Sequence, residues 1–317
     1  MTSQNRVYSA VSLHSQRWAV ILAGGDGTRL LPLTRKIHGE DRPKQFSRVI
    51  GDETLITQPR HRVAQTVDPR RTIFALTEKH ERFFSDLASE VPPLQLVIQP
   101  YNHGTAQAIL LTLIRIRQRD PQALIAFFPS DHHFSNEKAF AAHIDSAFDA
   151  AHSRQETIVL LGIEPDAPEP SYGYIEAGAR MGTVFEVVRF WEKPSREHAG
   201  FLLRQGCFWN SFIMVGSIGA FLDAFRTSLL PLLDEFERWE KVIGTPQEGL
   251  ALVEIYSSTR AFNFSEHVLA KETSRLAVLP GRNLGWSDLG EPDRVMALHP
   301  SPQRDRSGAA LAWANTA

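Results

Sequence analysis

Short, almost wholly apolar runs alternate along this chain with longer segments whose apolar residues recur at helical spacing. Trp18–Leu22, Thr72–Leu76, Leu94–Ile98, Leu124–Phe128 and Thr157–Ile163 are runs of the first kind. Apolar runs of that length, without strict alternation, predict strands buried on both faces. Glu78–Glu90, Thr105–Arg119 and Asn136–His152 predict helices between them, and Glu53–Val67 another that Pro59 starts or kinks. Strand–helix alternation of this kind implies an α/β fold with a mostly parallel sheet. Ligands bind such sheets outside the carboxyl ends of the strands. The loops directly after strands are therefore where chemistry is sought.

The second half is less regular. Thr183–Trp191 and Phe208–Val215 predict strands, and Ile218–Thr227, Leu230–Val242 and Gln247–Ser257 predict helices. Arg275–Leu279 reads as a short late strand leading into Asn283–Gly290. Residues 1–17 are polar and mixed and predict a flexible arm; 18–294 predict a single catalytic domain, and 295–317 a poorly ordered tail.

Composition narrows the function classes. The chain has 317 residues, 43% hydrophobic and 22% charged, enough to bury a sizeable core. A formal charge of −2 recruits neither nucleic acid nor an anionic membrane. No apolar run is long enough to span a bilayer, and the N-terminus lacks the apolar core of a signal peptide. The one cysteine, Cys207, excludes an internal disulfide and a cysteine-rich metal site, and fits a cytoplasmic setting.

The first candidate site is Leu22–Leu30, LAGGDGTRL, at the end of the first strand. Gly24, Gly25 and Gly27 let the backbone approach a phosphate, and Arg29 offers a fork of donors to it. A glycine-rich turn without a ligand is the plainer reading. The loop lacks the Lys-Ser/Thr of a Walker A motif and, with Leu30, the third small residue of a dinucleotide fingerprint. Lys44, within Pro43–Phe46 (PKQF), offers a point charge to a phosphate, or is simply a surface lysine. Asp131, in Phe127–His133 (FFPSDHH), suits either Mg²⁺ or a helix cap. His132 and His133 point apart if they end a strand, and no third zinc ligand stands at a familiar spacing. Glu192 and Lys193 end a strand before Pro194, where they suit a sugar hydroxyl and an anion or form an exposed turn. Asn210, between Trp209 and Ser211, is an amide among apolar neighbours that needs partners. Asp288, in Trp286–Gly290 (WSDLG), is a second isolated carboxylate that fits metal or a cap.

Taken in order, LAGGDGTRL, PKQF, PSDH (129–132), SYGYI (171–175), EKP (192–194), WNS (209–211) and WSDLG resemble the sugar-1-phosphate nucleotidyltransferases, and within them the mannose-1-phosphate guanylyltransferases. The resemblance covers about Trp18 to Arg294. It implies a Rossmann-like nucleotidyltransferase fold with a nucleotide half to about Ile163 and a sugar half after it. It implies Mg²⁺-dependent transfer from GTP to mannose-1-phosphate; UTP, dTTP or ATP with glucose-1-phosphate, or a sensor without turnover, are the alternatives. By the same resemblance Leu22, Ala23, Gly24, Gly25, Gly27, Thr28, Arg29, Lys44, Gln99, Gly104 and Thr105 bind the nucleotide. Gly173, Glu192, Lys193 and Asn210 take the sugar phosphate, Asp131 and Asp288 carry the metal, and Arg29, Lys44, Asp131, Lys193 and Asp288 are catalytic. A homodimer is left open. The reaction needs positioning and cations more than a general base, because a sugar phosphate is already anionic near neutral pH. Asp26 stands where serine is common in those enzymes, Leu31 where tryptophan is, and His103 where arginine is. So soon after WSDLG the chain is expected to carry neither a cupin-type isomerase domain nor a full left-handed β-helix.

Overall fold

The computed structural model describes residues 16–298. In chain order the elements are β1 (Arg17–Leu22), α1 (Leu31–His38), α2 (Thr57–Val63), β2 (Thr72–Thr77), α3 (Ser85–Glu90), β3 (Leu96–Gln99), α4 (Thr105–Arg117), β4 (Leu124–Pro129), β5 (His132–Phe134), α5 (Glu137–Ser153) and β6 (Ile158–Ile163). There follow β7 (Tyr174–Met181), β8 (Val184–Trp191), α6 (Arg196–Arg204), β9 (Phe208–Ser217), α7 (Ile218–Ser228), α8 (Leu230–Glu240), α9 (Glu248–Ser258), β10 (Leu276–Gly281), β11 (Trp286–Asp288) and α10 (Pro292–Leu298).

Nine strands form one mixed sheet in the order β3-β2-β1-β4-β9-β6-β10-β8-β7. β3, β2, β1 and β4 are parallel neighbours, as are β6 and β10. β9 runs antiparallel between β4 and β6, so a strand from the expected sugar half is inserted among those of the nucleotide half. The two halves therefore share one sheet.

Alternate residues of the central strands feed two cores. Ile125 and Phe127 of β4 join Val20 and Ile73 under α4, α7, α8 and α9. Leu124, Ala126 and Phe128 face the other way, toward Phe140, Ile144 and Phe148 of α5. Period-two alternation with apolar residues at both phases is what a sheet covered on both faces requires.

Several elements depart from the sequence pattern. Glu78–Glu90 is a 3-10 turn, Glu78–Phe83, followed by the short α3. Phe83 and Phe84 both pack on Phe46, and adjacent residues of one helix do not face the same neighbour. β3 begins at Leu96, after a Pro92-Pro93 turn that leaves Leu94 exposed. The hairpin strand β7 gave no apolar signal because most of its residues are only half-buried or exposed. α1 is ended by Gly39, which takes a left-handed conformation.

The boundaries at 17 and 294 also shift. Arg17 is buried in β1, where it pairs with Asp145. α10 continues four residues past 294, and its Val295 is buried with Leu30, Val49, Leu55 and Leu289. The rest of the expected arm and tail, residues 1–15 and 299–317, lies outside the described residues.

Candidate active site

The ends of β1, β2, β3 and β4 lie side by side, with Leu22 opposite Ala75 and Pro129, and Thr77 opposite Gln99. The glycine loop leaves β1 there and is held by two side chains. The Thr77 hydroxyl donates to the Gly24 carbonyl (2.9 Å), and the Gln45 amide donates to Ala23 O (2.9 Å) and Gly25 O (2.7 Å). A Cβ on Gly24 would fall 2.7 Å from Gln99 Nε2 and 2.8 Å from Thr77 Oγ1, so a larger residue would have to displace both side chains. Gly27 has φ +62°, a left-handed conformation, and starts the turn that carries Thr28 and Arg29.

Asp131 follows β4 directly. Ser130 N donates to Leu22 O (3.2 Å), which ties this loop to the end of β1. β5 and β11 pair as a small ribbon with Asp288 opposite His132, and Leu289 N donates to Asp131 O (3.0 Å). Two aspartates from distant parts of the sequence are thereby brought together. A carboxylate oxygen of each and a nitrogen of His132 all lie within 4.8 Å of one another. Lys44 forms an ion pair with Asp131 and reaches Leu289 O at 3.5 Å.

These charges set one another. Burial disfavours ionised Asp131, but the Lys44 ammonium overcomes it and holds the carboxyl below the usual carboxylate range. Asp288 goes the other way, because burial and the neighbouring Asp131 charge both raise it. Burial also works against charged Lys44, yet the two aspartates keep its ammonium above the usual lysine range. Two carboxylates with one opposing ammonium form a cluster one positive charge short of neutral. Hard oxygen donors beside a phosphate-sized cleft suit Mg²⁺, which takes one or two carboxylates and completes its shell with water and phosphate.

The cleft measures about 500 Å³ and is lined by Leu22, Gly24, Gly25, Gly27, Thr28, Arg29, Lys44, Gln99, Gly104, Thr105, Asp131 and Asp288. Ala23 is buried beneath the loop. Gln99 is largely committed to the fold: its Oε1 accepts from the Tyr256 hydroxyl (3.1 Å) and its Nε2 donates to Leu76 O (3.3 Å). The Thr105 hydroxyl oxygen accepts from Phe264 N (2.8 Å). Arg29 pairs with Glu291 at 2.6 Å, both half-exposed at the rim.

Gly173, Glu192 and Asn210 form a second group beside the cleft, outside its lining. Asn210 N donates to Gly173 O (2.8 Å), and a Cβ on Gly173 would sit 3.1 Å from Glu192 Oε2. The Asn210 side-chain oxygen accepts from the backbone of Phe212 (3.0 Å), and Phe212 lines the cleft. Burial raises the Glu192 carboxyl, with Lys193 opposing. Lys193 has φ +47° and is largely exposed, with Nζ 3.8 Å from Glu192. It stands at the edge of this group and makes no contact with Asp131 or Asp288.

Asp26 turns away from the acidic pair and contacts Lys79 (3.4 Å), His80 (3.3 Å) and Asn102 (3.2 Å) at the ends of β2 and β3. His103 packs between Tyr101 and Tyr256. Gln45, His132 and Phe212 line the cleft as well. Gln45 stands within PKQF and is a buried amide, but nothing in the sequence says what it bonds to. For His132 the sequence raises only a zinc role. Among the described residues no helix is long and apolar enough to cross a membrane.

The family model described as "Nucleotidyl transferase" matches residues 18–303. The chain is 30% identical over 275 residues to xanthan biosynthesis protein XanB of Xanthomonas campestris pv. campestris (strain B100), covering 86% of this chain and 57% of that protein. It is 28% identical over 286 residues to mannose-1-phosphate guanylyltransferase of Escherichia coli (strain K12), covering 87% and 58%. It thus spans somewhat more than half the length of these curated relatives. Among solved structures, one described as mannose-1-phosphate geranyltransferase from Thermus thermophilus superposes with a TM-score of 0.76 at 29% identity, covering 87% of this chain and 76% of that one. With a mixed α/β sheet that opens its strand ends onto a glycine loop and an acidic pair, the chain belongs to the nucleotidyl transferase family.

Proposed function

We propose that the protein transfers GMP from GTP to mannose-1-phosphate, giving GDP-mannose and pyrophosphate. The observation that carries the transfer reaction is the meeting of Asp131, Asp288 and Lys44 beside the glycine loop. The choice of GTP and mannose rests on the resemblance to mannose-1-phosphate guanylyltransferase.

An oxygen of the sugar phosphate forms a bond to the α-phosphorus, and the bond from that phosphorus to pyrophosphate breaks. No proton must be removed from the nucleophile, so positioning and charge carry the rate. The glycine loop brings backbone N–H groups to the triphosphate. Lys44 lies deep in the cleft, where its ammonium meets charge on the transferring phosphoryl group. Arg29, at the rim, exchanges Glu291 for the departing phosphates. Glu192 and Asn210 take sugar hydroxyls, and Lys193 the sugar phosphate. Asp131 and Asp288 would hold Mg²⁺, which when bound neutralises phosphate charge and polarises the phosphoryl oxygens.

The test is pyrophosphate release with Mg²⁺ across four nucleoside triphosphates and mannose-, glucose- and N-acetylglucosamine-1-phosphate. Release with GTP and mannose-1-phosphate alone supports the reading. Release with another pair keeps the chemistry and overturns the substrates. Nucleotide binding without release from any pair overturns the activity.

A further inference from the structure

His132 shares the acidic cluster with Asp131 and Asp288, and by distance alone it looks like a third metal ligand. Its hydrogen bonding says otherwise. Trp286 Nε1 lies 3.1 Å from His132 Nδ1, with the rings edge to face. An indole nitrogen can only donate. Nδ1 must therefore offer its lone pair to Trp286, and the proton of the neutral imidazole is carried on Nε2. An Nε2 that bears hydrogen has no lone pair for a metal, and Nδ1 has already given its own. Both nitrogens are thus removed from coordination by one tryptophan contact.

The ribbon holds this arrangement. Trp286 and His132 come from its two paired strands, Trp286 opposite Phe134 and Asp288 opposite His132. Buried Arg62 donates to the His132 carbonyl (3.3 Å) and covers Phe134 and Phe140 with its guanidinium. Tyr172 and Trp209 box in the indole of Trp286. His132 lines the cleft with Lys44, Arg29 and Asp288, whereas Trp286 does not. With Nδ1 turned to Trp286, Nε2–H lies on the side of the ring away from the indole, in a residue that lines the cleft. It makes no hydrogen bond of its own among the described residues.

We propose that His132 is an N–H donor to a phosphate oxygen of the bound nucleotide, locked in that tautomer by Trp286, and not a ligand of the metal. The proposal rests on the reading of the cleft as a nucleotide site. A neutral N–H suits this place: it binds an anionic oxygen without adding a cation that would compete with metal at the two carboxylates. It also gives the SDH portion of the motif a purpose beyond the aspartate.

Three measurements on the full chain decide it. Nitrogen-15 NMR of the His132 imidazole reports the tautomer directly: Nε2–H is expected, and Nδ1–H overturns the proposal. Titration with Mn²⁺ alone, followed by electron paramagnetic resonance, tests ligation. His132→Ala is expected to change the Mn²⁺ dissociation constant less than about threefold, whereas Asp131→Asn weakens it about tenfold or more. A His132→Ala loss as large as that of Asp131→Asn makes His132 a ligand and overturns the proposal. Calorimetric binding of GTP with Mg²⁺ tests the acceptor. His132→Ala is expected to weaken binding about tenfold, and His132→Gln, whose amide N–H reaches the Nε2 position, to recover most of it. Unchanged GTP binding in His132→Ala overturns the phosphate contact. The tautomer and Mn²⁺ results stand whether or not pyrophosphate is released, so failure of the proposed activity is distinguishable from failure of this assignment.

Discussion

At the scale of single residues, the two aspartates are chemically alike and electrostatically opposite. Asp131 is stabilised as a carboxylate by Lys44, whereas burial and Asp131 itself disfavour charge on Asp288. Asp131→Asn and Asp288→Asn are each expected to lower turnover about 100-fold or more, read as pyrophosphate release with Mg²⁺. Their effects on stability differ in metal-free protein. Asp131→Asn leaves the Lys44 ammonium buried without its ion-pair partner and lowers the melting temperature. Asp288→Asn removes a repulsion and leaves the melting temperature unchanged or higher. Equal destabilisation in thermal melts would contradict this assignment of charge.

Cys207 gives a prediction in pH. It is buried, and burial pushes its thiol up to about 11. The folded protein therefore keeps the thiol proton to a higher pH than the unfolded chain does. This contribution to stability is complete below the ordinary thiol range and is lost as the pH rises through about 11. Between pH 9 and 11, on the order of the ordinary and shifted thiol values, wild type is expected to lose stability more steeply than Cys207→Ala in denaturant titrations. Equal slopes would show that the thiol is not protected. At neutral pH the native thiol should react with a thiol reagent only on unfolding.

At the scale of elements, the glycine loop is made rigid by groups that are not on it. Gln45 joins the start of the loop, at Ala23, to its middle, at Gly25, through one amide. Gln45→Ala removes both donors and leaves two carbonyls unpaired, at about 1–3 kcal/mol. If about 1.4 kcal/mol of that falls on the shape of the loop, the KM for the nucleoside triphosphate rises about tenfold with a smaller change in kcat. A kcat loss at constant KM would mean that Gln45 acts elsewhere. The ribbon of β5 and β11 works in the same way for the acidic pair: it holds a carboxylate at the end of β4 against one that arrives after β10.

At the scale of the whole molecule, β9 is the strand that makes the two expected halves inseparable. It pairs with β4 on one side and β6 on the other, and also with β7. Pulling it out opens both cores at once, because Met214 belongs to one and Val215 to the other. Calorimetry is therefore expected to give one unfolding transition, followed together by circular dichroism and tryptophan fluorescence. Two separated transitions would mean that the halves fold independently. Phe127→Ala, at the centre of the first core against Phe221, is expected to cost about 3–5 kcal/mol in the same measurement.

The sequence alone determined the strands near the front of the chain, because strands buried on both faces must be apolar throughout and that composition is visible without contacts. It also determined the glycine loop, where only glycine meets the left-handed turn at Gly27, and the order of the motifs, which carries the family. It missed β7, α1 and the broken Glu78–Glu90 segment, since half-buried edge strands and short turns leave no apolar period. Only the tertiary structure decided that Asp131 and Asp288 meet, that β9 enters between strands from the other half, and that Asp26 faces Lys79 and His80 instead of the acidic pair. It alone tied Trp286 to His132 Nδ1. The physical reason is the range of the interactions: helical spacing, strand burial and turn conformation are set by neighbours in sequence, whereas charge pairing and the partner of a ring nitrogen are set by residues that only the folded sheet brings within a few ångströms.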